Sequence, residues 1–126
     1  MMRERFTFDG RVRSFGHAFR GVGLMLRTQH NAWIHAAVSG AVITVAALFD
    51  VTAAEWVFLI LAMMAVWTAE ALNTALELLA DVASPDFHPL VGRAKDVAAA
   101  AVLLSATGAA AIGAVVLGPY CVPLVR

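Results

Sequence analysis

Charged side chains are scarce in this sequence: 14% of its 126 residues, against 61% that are hydrophobic. A soluble domain carries roughly a quarter charged residues. A soluble chain this short cannot hide so much apolar surface in one core. Mean hydropathy is +0.79, and lipid has to cover what the core cannot. Cysteine is nearly absent too. Cys121 stands alone, which excludes an internal disulfide and any cysteine-based zinc site, and it reads as a small apolar residue. Formal net charge is zero, so no overall polarity points to nucleic acid as a partner. The first ten residues lack an apolar stretch followed by a small-residue cleavage site, so no removable signal peptide is expected. No GxxxxGK[ST] loop and no protein-kinase signature occurs, which excludes those two kinds of nucleotide site. There is no internal repeat and no low-complexity tail.

What is present is long apolar runs. A helix that crosses a bilayer needs about 20 mostly apolar residues. Ala32 to Phe49 carries no acid, Lys or Arg, and Asp50 closes it. Trp56 to Ala69 is equally clean and continues through Glu70, Asn73, Glu77 and Asp81 to Ser84-Pro85. Val97 to Val125 is uncharged, with a helix end expected near Gly118-Pro119. Ahead of these, Phe8, Val12, Phe15, Phe19, Val22 and Leu26 recur every three or four residues, the stripe of an amphipathic helix. Arg11, Arg13, Arg20 and Arg27 lie mostly off that stripe. Such a helix lies in the membrane interface or packs on the rest of the protein, and both fit the pattern. The fold class predicted is all-α integral membrane in one domain, 1–126. It has a surface helix over about 8–28 and transmembrane helices over 31–49, 55–82 and 94–118. Six of the nine basic residues (Arg3, Arg5, Arg11, Arg13, Arg20, Arg27) precede the first span. The first joint has none, the second has Arg93 and Lys95, and Arg126 ends the chain. Basic segments stay on the cytoplasmic side, so the N-terminus and the second joint are expected to face the cytoplasm. Ser105, Ala109 and Gly113 form a small-residue ridge of the kind that lets helices approach closely.

Glu70, Asn73, Glu77 and Asp81 are spaced three, four and four apart, which places them on one stripe of the second span. Ionisable groups inside a membrane segment are costly and by default functional. Oxygen ligands of this kind suit Mg²⁺, which also keeps water or phosphate oxygens. A nearby carboxylate can instead accept a proton from an attacking hydroxyl. The plainer alternative is pairing between helices that locks an oligomer, and Asp81 alone reads equally as a helix cap or a solvated residue. The second joint, read over residues 84 to 97, places Arg93 and Lys95 where they can hold phosphate oxygens, with Asp96 supporting a metal or orienting Lys95. An acidic site at the membrane edge beside a basic loop suits phosphoryl transfer, which needs metal, positioning and charge stabilisation.

Taken together, GluAlaLeuAsnThrAlaLeuGluLeuLeuAlaAsp (70 to 81) and PheHisProLeuValGlyArgAlaLysAsp (87 to 96) resemble the signature of the prokaryotic diacylglycerol kinase and undecaprenol kinase family. The resemblance extends from about Phe6 to Gly118. It implies a homotrimer in the bacterial cytoplasmic (inner) membrane, with MgATP as phosphoryl donor and a membrane lipid hydroxyl as acceptor. By the same resemblance Glu70 is the catalytic base that meets the lipid, Asn73 positions lipid or phosphate, and Glu77 binds metal and ATP. Lys95 and Asp96 serve the nucleotide phosphates, and His88 lies near the adenine. The family often places a second metal-binding glutamate before the first span. Here the stretch is GlnHisAsnAlaTrpIleHis, residues 29 to 35. Gln29 takes the glutamate's place in binding metal and ATP, keeping an oxygen ligand but not the charge, and Trp33 stands where an Arg is usual. Asn31 and His35 match, though His35 by itself reads as a packed or interfacial histidine. Phe87 and His88-Pro89 lean towards the undecaprenol branch.

The function expected is therefore a lipid kinase acting on undecaprenol or diacylglycerol. Two alternatives belong to other classes. One is a catalytically inactive membrane scaffold of the same fold, suggested by Gln29. The other is a small proton-coupled exporter carrying a membrane glutamate, a class that generally has four spans.

Overall fold

The computed structural model describes residues 7–122 of the chain. Arg3, Arg5 and Arg126, which enter the charge argument, and Phe6, where the resemblance begins, lie outside that range. Four helices follow one another: α1 (Phe8–Thr28), α2 (His30–Leu48), α3 (Ala53–Ala83) and α4 (Pro89–Cys121). The last three are long and apolar enough to cross a membrane.

Helix α1 starts where Thr7 Oγ1 accepts the Gly10 N–H at 3.3 Å, and Asp9 in the first turn suits the positive end of the helix dipole. Its apolar stripe faces outward along most of its length: Phe8, Val12, Phe15, Phe19 and Val22 are all exposed. Only its C-terminal end is anchored, through buried Met25, in a cleft that also involves Ala71, Thr74 and Leu78 of α3. Of the two readings of the stripe, the exposed aromatics favour a helix lying in the interface.

A single extended residue separates α1 from α2. Gln29 (φ −105°, ψ 115°) closes the first helix, its N–H donating to Met25 O, and opens the second. The turn from α2 to α3 is nearly as tight. Asp50 adopts φ 50°, a left-handed conformation that Asp tolerates better than most side chains. Val51 N–H then donates back to Ala46 O at 3.2 Å. The next helix begins on a reciprocal cap. Thr52 Oγ1 accepts Glu55 N–H at 3.3 Å, and Glu55 Oε2 accepts Thr52 N–H at 2.7 Å. Tyr120 OH also donates to Glu55 Oε2, at 2.9 Å, tying the end of α4 to the start of α3. Beside this knot lies a small core of Ala46, Val51, Leu59 and Val116, with Phe49 and Tyr120 stacked at its edge.

The second joint is shorter than the sequence reading made it. Helix α3 runs to Ala83 and α4 begins at Pro89, so the connection is residues 84–88 and Arg93, Lys95 and Asp96 are helical. The cause is local: His88 Nδ1 accepts Leu90 N–H at 3.2 Å as the N-cap, and Pro89 needs no N–H at the first helical position. At its far end α4 passes Pro119 and continues to Cys121. A proline in the last turn removes one hydrogen bond without ending the helix there.

Length explains how α3 carries its acids. Its 31 residues span about 46 Å, against roughly 30 Å of hydrocarbon. Measured from Ala53, hydrocarbon is crossed after about 20 residues, near Asn73. Counted from there, Glu70 falls at the edge of an apolar slab of that thickness, and Glu77 and Asp81 fall beyond it.

Removing the reciprocal cap tests this account of α3. Thr52→Ala is expected to cost about 1 kcal/mol, read as a lower thermal unfolding midpoint in detergent. An unchanged midpoint would mean that the Glu55–Tyr120 contact alone holds that end.

Candidate functional site

Two antiparallel helices joined by a tight turn pair their residues in reverse order. Along the α2–α3 seam the polar contacts therefore run as a ladder. Trp67 Nε1–H donates to Ser39 Oγ at 3.1 Å. Next, His35 Nε2 lies 3.6 Å from Glu70 Oε2. Last, Gln29 Nε2–H donates to Glu77 Oε2 at 3.1 Å. On α3 itself Asn73 Nδ2–H donates to Glu77 Oε1 at 3.2 Å. Each oxygen of the Glu77 carboxylate is thus held by one amide.

Glu70 is treated differently. It is fully buried, at 0% exposure. Neither of its carboxylate oxygens has a hydrogen-bond partner, and the same holds for His35 Nε2 and Asn73 Oδ1. Most buried polar atoms find a partner, so four orphans within one cluster mark a place prepared for something else. Of these residues His35 and Asn73 line a cleft of about 310 Å³, together with Gln29, Asn31 and Glu77 and walled by α4 through Ala99, Val102 and Ala106, while Glu70 lies buried behind it. A second, apolar cleft of about 440 Å³ runs along Val38, Val42, Leu59, Val66 and Gly113. Ile34, His35 and Ala106 line both. Polar and apolar spaces therefore meet at His35, as an amphiphile with a hydroxyl head would require.

The remaining predicted residues gather less tightly. Lys95 Nζ donates to Asp81 Oδ1 at 2.7 Å, bridging α4 to α3 one helical turn beyond Glu77. This partner is Asp81; of the two roles read for Asp96, supporting a metal or orienting Lys95, the second is taken by Asp81, because on a helix the neighbouring position points elsewhere. Arg93 and Asp96 are exposed. His88 is exposed as well and uses Nδ1 to cap α4.

The donors on this cleft suit a magnesium ion only in part. Among the described residues no three His, Cys, Asp or Glu side chains cluster to form a complete cage. Mg²⁺ rarely has such a cage; one or two carboxylates plus substrate phosphates and water suffice. Glu77 supplies the carboxylate and Gln29 an amide oxygen on the same cleft, so the residues fit an ion that arrives with phosphate.

The comparisons with known proteins bear on this geometry. The model of the family described as prokaryotic diacylglycerol kinase matches residues 16–117. The undecaprenol kinase of Bacillus subtilis (strain 168) is 36% identical over 107 residues, covering 85% of this chain and 87% of that protein. The chain belongs to the prokaryotic diacylglycerol kinase family. Other members agree: the diacylglycerol kinase of Escherichia coli (strain K12) is 31% identical over 112 residues, covering 83% of this chain and 86% of its own. The diacylglycerol kinase of Synechocystis is 41% identical over 107 residues, which make up 84% of this chain and 61% of that longer protein. As a member of the prokaryotic diacylglycerol kinase family, the chain is a lipid kinase.

His35, read from sequence as a packed or interfacial histidine, is packed, its side chain 14% exposed; its contact with Glu70 across the seam is what the sequence reading did not include. The available signal was its place on the α2 face that carries Asn31, one helical turn before it.

Gln29→Glu tests the amide pairing at Glu77. It replaces a donor by a second carboxylate, which is expected to cost about 1–3 kcal/mol without divalent cation. The unfolding midpoint should fall in EDTA and recover with Mg²⁺. A midpoint indifferent to Mg²⁺ in this variant would rule out an ion between residues 29 and 77.

Proposed function

We propose that this protein transfers the γ-phosphate of MgATP to the hydroxyl of a membrane lipid alcohol, either undecaprenol or diacylglycerol. The observation that carries the reading is the α3 stripe, where a buried Glu70 without hydrogen bonds lies about two helical turns before an amide-held Glu77 that lines the polar cleft. A membrane lipid presents its hydroxyl at the depth of Glu70, and its chain fits the apolar cleft that joins the polar one.

In this reading Glu70 accepts the hydroxyl proton as the lipid oxygen attacks the γ-phosphorus. Glu77 holds the metal, with Gln29 as an uncharged second ligand, and Asn73 uses its free Oδ1 to orient the lipid hydroxyl. When bound, Mg²⁺ supplies charge neutralisation across the β- and γ-phosphates. Lys95 and Arg93 meet phosphate oxygens from the start of α4, with Lys95 kept in place by Asp81 until nucleotide arrives. Asp96 supports that end, and His88 flanks the adenine. The basic N-terminal segment favours a cytoplasmic N-terminus, which puts the cleft on the ATP side of a bacterial inner membrane. The broad apolar surface outside the small core suits a homotrimer embedded in lipid.

An inactive scaffold is the one rival with an observation in its favour: the Gln29 amide already gives Glu77 a neutral partner. Radiolabelled phosphate transfer by the purified protein in mixed micelles, with undecaprenol and diacylglycerol side by side, separates the two. Transfer to one lipid is expected, with Glu70→Gln lowering kcat by about 10²–10⁴-fold and Glu77→Ala abolishing turnover. No transfer to either lipid from folded protein would support the scaffold.

A further inference from the structure

The strongest unexplained feature is a pair of side chains that lack partners while facing each other. His35 Nε2 and both Glu70 carboxylate oxygens are buried without hydrogen bonds, and Nε2 stands 3.6 Å from Oε2. That distance is beyond a hydrogen bond, although the buried donor and acceptor are each costly to leave alone. The imidazole is not free to swing elsewhere. Its ring meets Trp67 edge-on with centroids 6.3 Å apart, and Trp67 is itself fixed by its bond to Ser39. The side chain of His35 is 14% exposed and lines both clefts.

We propose that His35 is a positioning residue for Glu70: its Nε2–H closes onto Glu70 Oε2 when the lipid alcohol enters, leaving Oε1 aimed at the hydroxyl. This rests on the reading of Glu70 as the base. Hydrogen bonds of catalytic groups are often long before substrate binds and tighten in the complex, and a shift of well under 1 Å is enough here. The step it serves is balanced. The lipid O–H bond breaks and its proton goes to Glu70 Oε1, the lipid oxygen bonds the γ-phosphorus, and the phosphorus–oxygen bond to ADP breaks with its electron pair leaving on ADP. His35 exchanges no proton with phosphate or lipid in this step. It fixes which carboxylate oxygen does the work and keeps the carboxylate from turning towards the Asn73 side of the cleft.

The test uses the full-length protein in mixed micelles with whichever lipid the wild type phosphorylates. His35→Ala is expected to lower kcat about 10- to 100-fold, the loss of one hydrogen bond to a charged group, with KM for MgATP within about twofold. Added imidazole should restore part of kcat in His35→Ala, because the vacated ring space opens onto both clefts. His35→Gln, which keeps an N–H donor, should retain more activity than His35→Ala. In a Glu70→Gln background His35→Ala should cost nothing further, since both changes disable one unit. The proposal is overturned if His35→Ala keeps wild-type kcat. It is equally overturned if its loss persists undiminished in the Glu70→Gln background, or if imidazole gives no recovery while His35→Gln is as poor as His35→Ala. Absence of wild-type turnover on both lipids is a different result, because it removes the kinase reading on which this one stands.

Discussion

A carboxylate beside hydrocarbon persists only where something supplies its hydrogen bonds or where water is within reach. Helix α3 meets that constraint at one acid of its stripe and leaves it unmet at another. Glu77 lies past the apolar slab and has both oxygens held by amides, from Gln29 and Asn73. Glu70 lies at the slab's edge, fully buried and with no such bonds. The first arrangement is satisfied and stable as it stands. The second is incomplete, and under the proposed function it is completed only when substrate enters.

The rest of the fold serves to hold that stripe in register. Tight turns at Gln29 and at Asp50 fix α2 against α3, so that a reversal of chain direction pairs Ser39 with Trp67, His35 with Glu70 and Gln29 with Glu77. Gln29 deserves its place for a specific reason. As the one extended residue between two helices it opens α2 as its N-cap, yet its side chain makes no capping bond and reaches Glu77 instead. A glutamate there would need a cation to do the same. At the opposite end the Thr52–Glu55–Tyr120 contacts close the hairpin of α3 and α4 without contributing to the cleft.

Most of this architecture was legible in the residues. Apolar runs gave three spans, and the four-residue rhythm from Phe8 to Leu26 gave the surface helix, because lipid and interface impose their periodicities directly on sequence. The acid stripe of α3 was visible for the same reason: a period of three and four has one geometric meaning. Three things were not legible. The polar stretch from Ser84 to Arg93 looked like a loop, since polarity there reflects a helix emerging from the membrane rather than an absence of helix; His88 and Pro89 were the start signal. The pairing of His35 with Glu70 depends on how far two helices slide past each other, and that offset is set by the conformation of residues 49–52, which composition does not specify. Lys95 meeting Asp81 rather than Asp96 has the same origin, a contact between helices that adjacency in sequence obscures.

The account's central claim is that metal and nucleotide phosphate bind at the Glu77 end of the α3 stripe. The direct measurement is NMR of the isotope-labelled protein in detergent micelles with Mn²⁺ and a non-hydrolysable ATP analogue, the ion's paramagnetism broadening signals of nearby residues. The account predicts selective broadening of Gln29, Asn73, Glu77 and Lys95, with Asp50, Glu55 and Tyr120 sharp. Broadening centred on the Glu55 and Tyr120 end, or none anywhere at saturating nucleotide, would contradict it.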